Sequence, residues 1–190
     1  MQKTSTLKMI LCAMFAAITA VLSQIVVPIG PVPISLGTLA VFCAGSLLGS
    51  RLGALSIAVW VALGIIGVPV FAMFRAGVGT LAGPTGGYIA GYIPAAFITG
   101  LLIEKFSKGG KTTLYPVFML AGMATYFILG TSWFVISTGT GIWEALMVCV
   151  IPFLPGDFLK IAAATVLAKR LRPILHTMAG TKAASIGDGS

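Results

Sequence analysis

Two charges in this chain stand where a charge is expensive. Asp157 and Lys160 lie in Pro155-Gly-Asp-Phe-Leu-Lys160, inside a long apolar run near the end of the sequence. An ionisable side chain within a membrane costs at least ~2.5–3.5 kcal/mol, so it faces a cavity or a partner and marks function. Residues three apart share a helix face, so both side chains can enter one pocket. A carboxylate accepts from N–H groups and an ammonium donates to a carbonyl. Side by side they match the edge of a cyclic urea or amide. The same spacing also lets the two pair with each other and serve only to let the helix pack. Counted from Trp143 at ~1.5 Å per residue, Asp157 lies roughly 20 Å into its span, near or past the bilayer centre. Pro152 and Pro155 free backbone carbonyls just before it, which is tolerable only beside protein or a cavity.

A second group opens another apolar run, Gly83-Pro-Thr-Gly-Gly-Tyr88. Consecutive glycines at a helix N-terminus expose backbone N–H groups to an anion or polar ligand, and Tyr88 adds an aromatic face with a hydroxyl. Gly83, Gly87 and Gly91 are also spaced four apart, the pattern of close helix packing, and the two uses are compatible. Upstream, Pro28-Ile-Gly-Pro-Val-Pro-Ile-Ser35 is spaced by prolines that favour an extended backbone. Its apolar character suits a lid over a buried ligand or an interfacial re-entrant turn. The 68–85 stretch carries Gly77, Gly79 and Gly83, which suits a backbone pressed against a neighbour. Arg75 within it fits a ligand carboxylate or a lipid headgroup equally well. Gln24 is either polar glue or a pocket contact. Glu104 and Glu144 fall at span ends, where solvation explains them. Trp60, Trp133 and Trp143 read as interfacial anchors, with a place in a pocket wall as the other reading.

These residues need a bundle to position them. Hydrophobic residues make up 58% of the 190, charged residues 8%, and mean hydropathy is +1.07. A soluble domain carries roughly a quarter charged residues, so this surface faces lipid. The expected architecture is an all-α bundle of about six spans, at 7–27, 36–49, 53–67, 86–104, 114–136 and 143–171. It forms one domain over 1–173, followed by a small, polar, frayed tail at 174–190 that holds His176. The first run is too long for a signal-peptide core and lacks a good cleavage site, so it reads as a retained span. Its Ala13/Ala17 and Ala16/Ala20 pairs give a smooth face for internal packing or for a docked partner.

Charge sets the orientation. Lys3, Lys8, Arg51, Lys105, Lys108, Lys111, Lys169, Arg170, Arg172 and Lys182 collect on one side, ten of twelve basic residues, with Arg75 alone opposite. The positive-inside rule then puts both termini in the cytoplasm. The net charge of +8 therefore reflects anchoring rather than nucleic-acid binding, for which no basic face or motif is present. Cys12, Cys43 and Cys149 each stand alone, without metal spacing. There is no H-E-x-x-H zinc motif, no G-x-S-x-G elbow and no Walker lysine motif. No enzyme activity, metal or cofactor is implied, and energised uptake would need an ATPase partner.

Five blocks in order resemble the BioY family, the biotin-specific substrate-binding (S) components of energy-coupling factor transporters. They are Pro31-Val-Pro-Ile-Ser35, Leu48-Gly-Ser-Arg-Leu-Gly-Ala54, Gly67-Val-Pro-Val-Phe71, Gly83-Pro-Thr-Gly-Gly-Tyr88 and Pro155-Gly-Asp-Phe-Leu-Lys160, within a resemblance running from about 8 to 172. The resemblance implies a six-helix S-component fold in the bacterial cytoplasmic membrane that takes biotin from outside. It also implies docking onto a transmembrane coupling protein driven by two ABC-type ATPase subunits, with Ala13 and Ala17 as the docking positions. The ligand-facing positions it implies are Ile34 and Ser35, then Thr85, Gly86, Gly87 and Tyr88, then Asp157 and Lys160. This chain departs from relatives that carry a glycine run after the Pro-Val-Phe block, here 72–77, a glutamine at Gly37, or an arginine at Ile89. Arg75 is then the expected partner of the ligand carboxylate. An S component for another vitamin, or a carrier working without the ATPase module, is the alternative function.

Overall fold

The computed structural model describes residues 2–28, 32–107 and 112–184, with side chains given for 6–28, 32–107 and 112–174. Pro31, Lys108 and Lys111, and the side chains of Lys3, His176 and Lys182, lie outside the described residues. The order of elements is α1 (Gln2–Gln24), β1 (Val26–Val27), β2 (Ile34–Ser35), α2 (Gly37–Leu48), α3 (Ser50–Ile65), α4 (Val78–Ala82), α5 (Gly86–Phe106), α6 (Tyr115–Thr138), α7 (Ile142–Cys149) and α8 (Leu154–Ala184). Short 3-10 turns at Ala72–Phe74 and Thr112–Leu114 join neighbouring elements.

Residues 6–24 of α1, helix α5, and the stretch 112–138 are each long and apolar enough to cross a bilayer. Helices α7 and α8 are together long and apolar enough for a crossing, and are bent by 51° at the break between them. The expected span at 143–171 is thus two helices; Pro152, which has no N–H to give an α-helical ladder, lies in the break. Helices α2 and α3 have 12 and 16 residues, about 18 and 24 Å at 1.5 Å per residue, short of a ~30 Å hydrocarbon core. They turn back on each other at Gly49, whose φ of +85° is a conformation glycine adopts without steric cost.

α2 explains how so short a helix is kept. It packs on α1, α3, α5 and α8 and is buried along nearly its whole length, so it is the hub of the bundle. The α5–α6 pair is the most extensive helix contact. Glu104 at the end of α5 accepts hydrogen bonds from the Ser50 N–H (2.8 Å) and hydroxyl (2.7 Å). It caps the N-terminus of α3, which corrects the reading of Glu104 as a merely solvated carboxylate; Glu144 is exposed. Backbone helix in α8 continues through Pro173 to Ala184.

Extended backbone in the proline-spaced segment takes a specific form. Val26 pairs with Ser35 and Val27 with Ile34 in a two-stranded antiparallel ribbon. The end of the expected first span is therefore a strand, paired across the proline turn.

Candidate functional site

The floor of the site is built by α8, α2 and α6. Asp157 is in the first turn of α8, where the helix dipole favours a carboxylate, and its own N–H reaches the Phe153 carbonyl at 2.9 Å. The depth counted from Trp143 assumed one straight helix; the break places Asp157 instead at the start of a new one. Lys160 Nζ lies 2.8 Å from Asp157 Oδ1 and donates to the Thr38 hydroxyl at 2.9 Å. Thr38 in turn donates toward the same carboxylate oxygen at 3.3 Å. The other oxygen, Oδ2, accepts from the Tyr126 hydroxyl. Asp157 is 1% exposed and Lys160 6%, so two opposite charges share one desolvated knot. Pairing alone seldom repays such desolvation; the hydroxyls of Thr38 and Tyr126 meet remaining hydrogen-bonding capacity of the pair.

Above the knot are two adjoining chambers. The inner one, about 280 Å³ including the space it opens onto, is lined by Asp157, Lys160, Thr38, Tyr126 and Phe153, among others. The outer one, about 480 Å³ including its mouth, adds Arg75, Thr80, Thr85, Ile89 and Trp60. Ser35, Tyr88, Tyr92, Val32 and Pro33 line both, so the chambers adjoin at these residues. Its wall is aromatic. Phe71 stands edge-on to Trp60 (5.2 Å between centroids), Trp60 stacks on Tyr92 (6.2 Å), and Tyr92 stands edge-on to Tyr126 (5.4 Å). These rings run from roof to floor and suit an apolar ligand with one polar end.

The roof is backbone held by side chains. Ser23 Oγ donates to the Val70 carbonyl at 2.6 Å, and Trp60 Nε1 reaches the same oxygen at 3.1 Å. Gln24 donates to the carbonyls of Pro69 (3.3 Å) and Phe71 (3.1 Å) and accepts from the Phe74 N–H (2.9 Å). Met73 and Phe74 both have positive φ, 61° and 56°, a costly conformation for large side chains that surroundings must impose. Gln24 supplies that restraint. Of its two readings, the structure gives polar glue, and the segment it fixes carries Arg75 to the outer chamber.

The expected residues divide by position. Asp157, Lys160, Tyr88, Ser35, Thr85 and Arg75 converge on the two chambers. The Tyr88 ring lies on Gly130 of α6, where an added Cβ would meet it at 2.2 Å, and its hydroxyl bonds Thr131 at 2.9 Å. Ile34, Gly86 and Gly87 do not line the chambers. Ile34 sits beside Gly156 of α8, while Cβ atoms at Gly86 and Gly87 would strike Leu81 and Trp133. The double glycine is used for close packing, whereas Gly77 and Gly79 have nothing pressed against them. Trp60 is 2% exposed and belongs to the wall, unlike Trp143 at 77%. Thr38, Tyr92 and Tyr126 were missed. A hydroxyl in an apolar helix was their only signal, and their partners lie far along the chain. Ala16 is buried and Ala20 half-buried, while Ala13 and Ala17 are exposed, so one alanine pair turns toward the bundle and the other is left outward.

Comparison with known proteins resolves the family. The BioY family profile matches residues 1–177. This chain belongs to the BioY family. It is 39% identical over 162 residues to the probable biotin transporter BioY of Pyrococcus horikoshii, covering 85% of this chain and 94% of that one. The biotin transporter BioY of Thermotoga maritima is 37% identical over 168 residues, covering 88% and 96%. Among solved structures, the crystal structure of the S-component for biotin from an ECF-type ABC transporter superposes with a TM-score of 0.85. Its identity is 26%, over 91% of this chain and 94% of the other. The fold is therefore that of an ECF S component, an integral multi-pass, non-enzymatic membrane protein of about six helical spans.

Proposed function

We propose that this BioY-family chain is the biotin-binding S component of an energy-coupling factor transporter, with the ligand held between the Asp157–Lys160 knot and the Arg75 roof. The observation that carries the site is the knot itself, a carboxylate and an ammonium side by side at the floor of an aromatic-walled cavity. A cyclic urea offers N–H groups to the carboxylate and a carbonyl to the ammonium. The valeryl chain would lie along Trp60, Tyr92 and Tyr88, and its carboxylate would meet Arg75 with Thr85 near the mouth. Capture occurs from outside, with both termini cytoplasmic in a bacterial cytoplasmic membrane. Residues 1–173 form the substrate-binding unit.

Uptake against a gradient requires a transmembrane coupling protein and two ABC-type ATPase subunits. The exposed Ala13 and Ala17 on α1 leave a smooth strip for helix-to-helix docking. Equilibrium binding of radiolabelled biotin to the purified protein tests the reading: saturable binding resisted by no other unlabelled vitamin is expected. A well-folded preparation without saturable binding overturns it. Ala17→Trp is expected to leave biotin binding intact and to abolish uptake in cells that contain the coupling subunits; unchanged uptake removes α1 as the docking strip.

A further inference from the structure

At the end of the bundle opposite the two chambers, α5 finishes, α6 begins and α8 carries a run of cations. A separate open cavity of about 750 Å³, mouth included, lies there, lined by Ser107, Thr112, Tyr115, Lys169 and Arg172. Arg172 is half-buried and fixed in place. Its guanidinium donates to the Tyr115 hydroxyl at 2.7 Å and lies over the same ring, 5.6 Å from the centroid. Tyr115 is itself only 3% exposed, so the arginine rests on a buried platform. One hydrogen bond occupies one of five guanidinium N–H donors.

No carboxylate forms an ion pair with this cluster among the described residues. Asp157 is tied to Lys160 and Glu104 to Ser50, while Glu144 lies on α7, beyond the far end of α6. Asp188 is outside the described residues. The α6 N-terminus, which opens beside the cavity, has no side-chain cap, and its dipole adds to the preference for an anion. Next to the lining residues in sequence are exposed apolar side chains, Phe106, Leu114, Leu171 and Ile174, with Val117 two residues beyond Tyr115. A positive pocket with a greasy surround, at the end of a membrane bundle, matches a phosphate that carries acyl chains. Scattered anchoring lysines need neither the half-buried arginine nor its tyrosine support.

We propose that this cavity binds the phosphate group of an anionic phospholipid, with Arg172 and Lys169 on the phosphate oxygens and the acyl chains against Leu114, Val117 and Leu171. Basic pockets between transmembrane helices are suited to such headgroups. Native mass spectrometry of the purified protein, given phosphatidylglycerol or phosphatidylcholine at equal concentration, reads the bound lipid directly. Preferential retention of phosphatidylglycerol is expected, with Lys169→Gln and Arg172→Gln each weakening it roughly fivefold. Biotin binding should be unchanged in both variants, which certifies their fold. Should Arg172→Gln fail to fold, Arg172→Lys keeps the charge but loses the fork and is expected to retain part of the preference. Equal retention of the two lipids, or full phosphatidylglycerol retention in the Lys169→Gln protein, overturns the proposal. So does displacement of the lipid by millimolar inorganic phosphate, since the site would then serve a free anion.

Discussion

At the floor of the cavity, side chains hold side chains; at its roof, side chains hold backbone. The floor joins Asp157, Lys160, Thr38 and Tyr126 from three helices into one buried knot. The roof hangs the 69–75 loop from Ser23, Gln24 and Trp60, which come from α1 and α3. In the floor all four residues are buried, so an unmade bond costs much of the desolvation of the group. In the roof the loop is partly exposed, with Phe74 at 71%, and water can replace what a lost side chain leaves. Floor changes should therefore act on affinity and stability together. Roof changes should act mainly on how long the ligand stays.

The largest effect belongs to Asp157→Asn. It leaves Lys160 charged and buried without its counter-ion, a loss of about 3–5 kcal/mol when one partner of a buried pair is removed. Biotin affinity is expected to fall by more than roughly 100-fold, since 1.4 kcal/mol is tenfold, and thermal stability should fall with it. Glu144→Gln, on an exposed position of α7, should change neither. Equal losses in the two variants would take the knot out of the site. A double variant, Asp157→Leu with Lys160→Met, sharpens the point: replacing a buried pair by apolar residues is often neutral or stabilising. It should regain the melting temperature and still bind no biotin.

Tyr126→Phe comes next. It keeps the ring against Tyr92 and removes only the hydroxyl on Asp157 Oδ2. A hydrogen bond to a charged group contributes about 1.5–3 kcal/mol, so affinity should drop about 10- to 100-fold, measured by the same equilibrium binding. An unchanged affinity would mean that the carboxylate is held well enough by Lys160 and Thr38 alone.

The two halves of the comparison were not equally legible. The spans expected at 86–104 and 114–136 appear as Gly86–Phe106 and Tyr115–Thr138, because a long apolar run bounded by glycines or lysines leaves little else to form. The i, i+3 pairing of Asp157 and Lys160 was also legible, since it is local. Thr38 and Tyr126 were not: they are 119 and 31 residues from Asp157, and a lone hydroxyl within an apolar run carries no sign of its partner. The roof was half legible. Prolines announced extended backbone, but a two-residue ribbon pairing Val26–Val27 with Ile34–Ser35 has no periodicity to read. Gln24 remained ambiguous because its bonds go to backbone carbonyls and an N–H that any sequence would supply.

Gln24→Leu tests the roof directly. It removes the donors to Pro69 and Phe71 and the acceptor for Phe74, while Ser23 and Trp60 still hold Val70. With about 0.5–1.5 kcal/mol per neutral bond and partial replacement by water, the biotin dissociation rate should rise roughly five- to tenfold, with a smaller change in association. A stopped-flow or chase measurement separates the two rates. A loss dominated by association would make the loop part of ligand entry instead of retention, and would dissolve the division between floor and roof.

The smallest effect expected is that of Arg75→Gln, and it is the most discriminating. Arg75 lines the outer chamber yet is solvent-exposed, and it makes no ion pair among the described residues. An exposed ion pair is worth about 0.2–1 kcal/mol, so biotin affinity should fall by no more than about fivefold. That loss should vanish with biotin methyl ester, whose uncharged end gives the guanidinium no carboxylate. Wild-type protein should prefer the acid over the ester by the same factor, closing a thermodynamic cycle between residue and ligand. If Arg75→Gln weakens acid and ester equally, the guanidinium acts through the loop it sits on, and Arg75 joins Gln24 as part of the roof. If only the acid is affected, the roof contributes one direct contact, and the ligand is held in register from both ends of the cavity.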